Sequence, residues 1–349
     1  MREAVIVIAD LYLQPGERSP AAGAPRQALP GVEHIGRFAE RESLAPDWRA
    51  WLVRWLRRAD LAGAAVAQVA AAAAAPGTLG GRPTRWIATP VQLLAGLTRL
   101  HLPRGGIVRL AAADQAALVS AFERMFAGSD LTLEPLSDGQ LLLTTPGIAP
   151  IATAEPARCA DGEVRVPQGP GAGPLLRLMA EIEMWLHVEP LNEARRRRGS
   201  PAVSGLWLWG ADGDAVAPGG APGTDRRVQG SVVAFGQDAW LSGLWQLLGG
   251  TVRPLPERPE ALFATDAERA VVVAELAAGT EGPWSLHEAS QALDERLIRP
   301  ALAALRTGAL GRLTLIANDT RLSVGRLSAL KRWRVRRPGL ESFAHRASA

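Results

Sequence analysis

The sequence is poor in the residues that usually staple a chain or ligate a soft metal. It holds one cysteine, Cys159, in 349 residues, which excludes an internal disulfide framework and a Cys-rich zinc site. A reducing, cytoplasmic setting is therefore expected. Lysine is nearly missing as well: Lys331 stands alone, and the other 38 of the 39 basic residues are arginine. Against 35 Asp and Glu the formal net charge is only +4, too small a surplus to argue for a nucleic-acid partner. No apolar run reaches the roughly 20 residues that span a bilayer. The longest, 61–75, is mostly alanine with Gly63 and Gln68 inside it, the pattern of a buried helix. The N-terminal run at 5–9 is too short for a signal sequence and ends at Asp10, so no export is expected.

What remains is the composition of a folded protein with one large or two ordinary domains: 47% hydrophobic, 21% charged, with 36 Gly and 26 Pro in no collagen-like period. Residues 4–9 read as a buried parallel strand ending at Asp10. In open α/β sheets ligands sit at that end of the strands. A Pro/Gly-rich loop follows to residue 30, and the stripe Trp48, Trp51, Leu52, Trp55, Leu56 predicts a helix packed on the core. From 86 to 146 the pattern changes to strand, helix, strand, strand around the turn Ser137-Asp138-Gly139, a small α+β module. Residues 175–186 return to helical periodicity.

Residues 205–209 and 232–235 read as buried strands, the second followed by a helix over 239–248 that stops at Gly249-Gly250. Residues 270–274 fit a strand or part of a helix beginning near Thr265. A helix over 286–305, a strand at 313–316, a turn at Asn318-Asp319 and a strand at 321–324 close the pattern. The expected fold is α/β: a central, mostly parallel sheet with helices on both faces. Its core is expected over 1–85 and 166–349, with an inserted α+β module at 86–165.

The most distinctive stretch is Pro190-Leu191-Asn192-Glu193-Ala194-Arg195, continuing through Arg198-Gly199-Ser200-Pro201 to Gly205-Leu206-Trp207-Leu208-Trp209-Gly210. It resembles the His-Pro-x-Asn-x-x-Arg-x-x-x-Gly-x-x-Pro-x-Asn-x-Leu-Trp-Leu-Trp-Gly segment of the bacterial regulatory RpfE family. That family is similar to the archaeal-type, cofactor-independent phosphoglycerate mutases of the alkaline phosphatase superfamily. Glu189 stands where the regulatory family has His, and Ser204 where both groups have Asn. The resemblance implies an alkaline-phosphatase-like core and the module inserted at 86–165. It also implies a ligand-binding edge whose candidates are Asp10, Asn192, Arg195, Asn318 and Asp319.

Such mutases use paired manganese or magnesium ions to activate a serine. Here the five histidines form no His-x-x-x-His or Asp-His arrangement, Asp10 is followed by Leu11, and the mutases' Ala-Asp-His corresponds to Ala317-Asn318-Asp319. Ser19 and Ser43 are the serines possible by position. No resident metal or other cofactor is therefore expected. The favoured reading is a regulatory protein that kept the fold, lost metal-dependent phosphoryl transfer, and binds a small anionic or phosphorylated ligand or a protein partner.

Each candidate also has a plainer role. Asp10 could hold a loop, Asn318-Asp319 suits a tight turn, and the arginines at 195–198 spread over every helix face, so some must meet solvent. Two alternatives stay open. One is an active manganese- or magnesium-dependent mutase or phosphatase. The other is a DNA-binding regulator in which 285–305, the hairpin 312–324 and the basic tail from Lys331 to Arg337 form a winged helix, a reading disfavoured because two separate helices and a clean turn are not visible.

Overall fold

The computed structural model describes residues 1–13, 29–45, 47–74, 83–96, 100–214, 231–276, 285–328 and 339–343. Ser19 and the basic tail at 331–337 lie outside them.

The chain begins with β1 (Glu3–Ile8), α1 (Pro30–Phe38), β2 (Glu40–Ser43), α2 (Trp48–Trp55) and α3 (Val66–Ala74). A second unit follows, from β3 (Thr84–Val91) through β4 (Leu94–Ala95), β5 (Leu100–Leu102), α4 (Ala112–Met125), β6 (Thr132–Pro135) and β7 (Leu141–Thr145). It continues with α5 (Pro156–Cys159), β8 (Gly162–Glu163), α6 (Ala172–Val188), α7 (Pro190–Arg197) and β9 (Gly205–Trp209). The chain then returns with β10 (Val232–Gly236), α8 (Ala239–Leu247), β11 (Arg269–Ala274), α9 (Leu286–Leu293), α10 (Arg299–Thr307), β12 (Arg312–Ala317) and β13 (Thr320–Gly325).

The main sheet has the order β10-β11-β1-β12-β13-β2. The first four strands are mutually parallel and the last two run antiparallel to their neighbours. The sheet is covered on both faces, and β1 shows why its sequence is a continuous apolar run rather than an alternation. Ala4, Ile6 and Ile8 enter one core with Val32, Ile35 and Ile298, while Val5, Val7 and Ala9 enter another with Trp48, Leu52 and Leu244. The segment 270–274 is strand, not helix: it lies between β1 and β10 in register with both, and hydrogen bonding on two sides settles what periodicity alone left open.

The second unit is larger than the expected 86–165 insert. Its four-stranded sheet, β6-β7-β3-β9, takes in β9, which pairs antiparallel with β3. Residues 172–211 therefore pack with this unit and not with the main sheet: Leu175, Ile182, Trp185, Leu206 and Leu208 share one core with Trp86, Phe122 and Leu143. A short apolar run buried on both faces reads the same in either sheet, so the sequence did not reveal which partner β9 takes.

The expected helix at 286–305 is three pieces, α9, a π-helical turn at Asp294–Ile298, and α10 with a proline in its first turn. Pro300 has no N–H to offer, and the wider turn absorbs the missing bond. The hairpin β12–β13 is integral to the main sheet, with β12 between β1 and β13, so it is not a protruding wing. Among the described residues no helix is long and apolar enough to cross a membrane.

Candidate functional site

Three parallel strands end in carboxylates at one edge of the main sheet. Asp10 follows β1, Asp238 follows β10 and Glu275 follows β11. Facing them from the second unit are Asp138 in the β6–β7 turn, Thr89 on β3, Gln140 before β7, and Arg109 just before α4. Arg49 on α2 and Glu155 at the start of α5 complete the wall.

Local hydrogen bonding fixes most of these groups. Asp238 is the N-cap of α8, accepting from the Leu241 N–H at 2.7 Å, and Asp138 accepts from Ala239 N–H at 3.2 Å and from the Gln140 amide at 2.8 Å. Asp10 accepts from Leu276 N–H at 2.7 Å, which ties the end of β1 to the residue after Glu275. Glu275 is held by Arg109 in a two-pronged pair at 3.0 Å on each side, and Arg49 grips Glu155 the same way at 2.9 and 3.1 Å. The Arg49 guanidinium also lies 4.6 Å from the Trp48 ring centroid and 5.4 Å from that of Trp209.

Charge at this edge is unbalanced. Asp10, Asp138, Asp238, Glu155, Glu275 and Asp319 face three guanidinium groups, Arg49, Arg109 and Arg158. Burial pushes the Asp238 carboxyl up to about 6, with Asp138 adding to the shift and Arg49 opposing it. Glu275 is pushed well above the ordinary carboxylate range by burial, and Arg109 only partly offsets this. Burial also raises the Tyr12 phenol, with Glu155 reinforcing it.

Two hollows meet here. One is a chamber of about 20 Å³ bounded by Asp10, Arg49, Thr89, Arg109, Gln140, Glu155, Asp238 and Glu275. The other is a cavity of about 640 Å³ with an apolar wall that includes Leu255, Val273 and Leu276; its charged lining is Asp138, Asp238, Glu275 and Glu288 with Arg296. Ligand atoms of Asp138, Asp238 and Glu275 lie within 4.8 Å of one another, a spacing that suits one hard divalent cation. These residues do not fit a pair of cations: among the described residues this is the one such group, and Glu275 already faces Arg109.

The candidates named from sequence divide. Asp10, Asn318 and Asp319 share this edge. Asn318 and Asp319 form the β12–β13 turn with φ of 49° at both. The Asn318 side chain accepts from Leu13 N–H at 3.0 Å and donates to the Phe343 carbonyl at 3.0 Å, holding the loop after Asp10. Asp319 pairs with Arg158 at 2.6 and 2.9 Å, and Arg158 stacks 4.3 Å from the Tyr12 ring centroid.

Asn192 and Arg195 are elsewhere. The Asn192 amide donates to the carbonyls of Leu186 and Val203 and accepts from Val203 N–H, stitching α6 to the approach of β9. Arg195 is 1% exposed, pairs with Asp114 on α4 and donates to the Pro201 carbonyl at 2.8 Å. Its guanidinium does not return to the cleft beside Asp10. Ser43 ends the outer strand β2, exposed, opposite Thr320.

Asp138, Asp238, Glu275, Arg49 and Arg109 were not singled out from sequence as site residues. The signal for two of them was there: an acid just beyond an apolar run, the rule that marks Asp10, also marks Asp238 and Glu275.

No protein-family model matches the sequence, and no curated protein matches it. Two solved structures align along nearly the whole chain. The cofactor-independent phosphoglycerate mutase from Thermoplasma acidophilum DSM 1728 is 15% identical, with 99% of this chain and 95% of that one covered, at a TM-score of 0.40. The PH0037 protein from Pyrococcus horikoshii is 12% identical, with 98% and 91% covered, at a TM-score of 0.48. Both are distant likenesses and neither carries an activity to this chain, whose fold is a mixed α/β sheet flanked by helices.

Proposed function

We propose that the chain is a cytoplasmic regulatory protein of the RpfE kind, a phosphoglycerate-mutase-like scaffold that has lost metal-dependent phosphoryl transfer and acts by binding a ligand or a protein. One observation supports this above the rest: the carboxylates at the sheet edge are engaged by the protein's own groups. Glu275 is gripped by Arg109, Asp319 by Arg158 and Asp10 by a backbone N–H. Fixed guanidinium groups supply here the kind of positive charge that a two-metal enzyme takes from exchangeable cations. The chamber's hydroxyl, Thr89, donates to Gln140 and accepts from Trp209 at 2.9 Å, so its hydrogen-bond partners are an amide and an indole rather than a base.

The test is metal analysis of the purified protein with turnover assays on phosphoglycerates and a generic phosphomonoester, with and without manganese or magnesium. The expected result is no turnover above background. Bound manganese with mutase or phosphatase turnover would overturn the reading. The 4.8 Å grouping of Asp138, Asp238 and Glu275 favours a second reading, a single-cation phosphatase or mutase. For that reading Asp138→Asn should abolish metal-dependent turnover.

A further inference from the structure

The acidic sheet edge repels an anion, so an anionic ligand needs a different seat. A separate cavity of about 320 Å³ lies between α1, α10 and the end of β13. It reaches the opposite edge of the main sheet, where Gly325 pairs with Arg312, the first residue of β12. Its ionisable lining is entirely basic: His34, Arg299, Arg306 and Arg326. Among the described residues no carboxylate lines it. Phe38, Leu302, Leu305 and Val324 form an apolar floor, with the His34 ring 4.8 Å from that of Phe38.

Asp294, the acid that caps the helix lining the basin, is turned inward. It is 1% exposed and its two oxygens accept from the N–H groups of Gly31 and Val32, capping α1, although its field still reaches Arg299. Arg326 donates to the Gly308 carbonyl that ends α10. A helix C-terminus offers about half a negative charge, far less than three guanidinium groups supply. The surplus is visible at His34, whose pKa is lowered first by partial burial and then by Arg306 and Arg37.

We propose that this basin binds a small organic phosphate monoester, its dianion held by Arg299, Arg306 and Arg326 and its carbon skeleton lying on the Phe38, Leu302 and Val324 floor. Guanidinium forks match phosphate oxygens in pairs, and the volume is at the lower end for small-ligand pockets. The proposal deepens the reading of the chain as a ligand-binding protein, and it holds whether or not the sheet edge retains catalysis.

The test is calorimetric titration of the full chain at low salt, in EDTA, with glycerol phosphate and separately with inorganic phosphate. The double variant Arg299→Gln/Arg306→Gln changes exposed side chains, and Arg326 is kept because it closes a helix end. Saturable binding of glycerol phosphate is expected, weakened at least about tenfold in the double variant. Arg124→Gln, an exposed change on α4, should leave it unaltered. Equal affinity in wild type and double variant, or no saturable binding by wild type, overturns the proposal. Inorganic phosphate binding as tightly as the ester overturns the assignment of an organic ligand. Because EDTA removes any edge cation, failure here is separable from turnover at the sheet edge.

Discussion

Asp238 caps α8 and is also one of the residues through which pH acts on this protein. Its folded pKa of about 6 lies above the ordinary carboxyl value, so the folded state holds its proton more tightly than the unfolded chain does. That contribution is fully present below about pH 4 and is lost as pH rises through 6, a change on the order of 3 kcal/mol. Glu275, also raised by burial, acts in the same direction. Urea denaturation should therefore give a lower stability at pH 7.5 than at pH 5. Asp238→Asn, which can still cap the helix, should flatten that slope and stabilise the protein at pH 7.5.

Arg195 was legible as distinctive but not as structural. Guanidinium and amide groups serve a ligand or a buried joint equally well, and the sequence does not say which faces them. Arg195→Ala should cost about 3 kcal/mol in chemical denaturation by leaving the buried Asp114 with only the exposed Arg198. Glycerol phosphate affinity should not change.

Among the elements, the alanine-rich α3 has a reason in its partner. α3 and α8 touch so closely that a Cβ on Gly243 would sit 1.8 Å from the Val69 carbonyl oxygen. Ala67, Ala70 and Ala71 are buried along α3, and larger side chains there would push the helices apart. Gly243→Ala is expected to lower stability by roughly 3 kcal/mol or more, read as a fall in the urea midpoint. The Asn318-Asp319 turn was readable from residue type, since both positions need positive φ. Asn318→Ala should cost about 2 kcal/mol, from left-handed strain and the lost bonds to Leu13 and Phe343. The joining of β9 to β3 was not readable, because antiparallel pairing over a residue separation of more than a hundred depends on which face each strand finds.

At the scale of the whole molecule, the two units meet across the acidic edge. Ser137 donates to the Gln237 carbonyl at 2.9 Å, Asp138 receives the first N–H of α8, and Arg109 reaches across to Glu275. Arg109→Met would leave Glu275 buried beside three aspartates. A loss of about 3 kcal/mol is expected at pH 7.5. The loss should be smaller at pH 5, because burial favours the protonated Glu275 carboxyl as pH falls, and paired denaturation curves at the two pH values check this.

The sequence by itself determined the layered α/β plan, the β1 strand and its terminal Asp10, the α2 and α8 stripes and the tight turn at 318–319, because apolar periodicity and turn chemistry are local properties. Only the tertiary structure decided that β9 belongs to the second sheet, that Arg195 is a buried strut, and that Asp138, Asp238 and Glu275 converge. Those outcomes depend on contacts between segments distant in the chain, 81 residues apart for Asp114 and Arg195, whose meeting is set by packing and leaves no spacing rule in the chain.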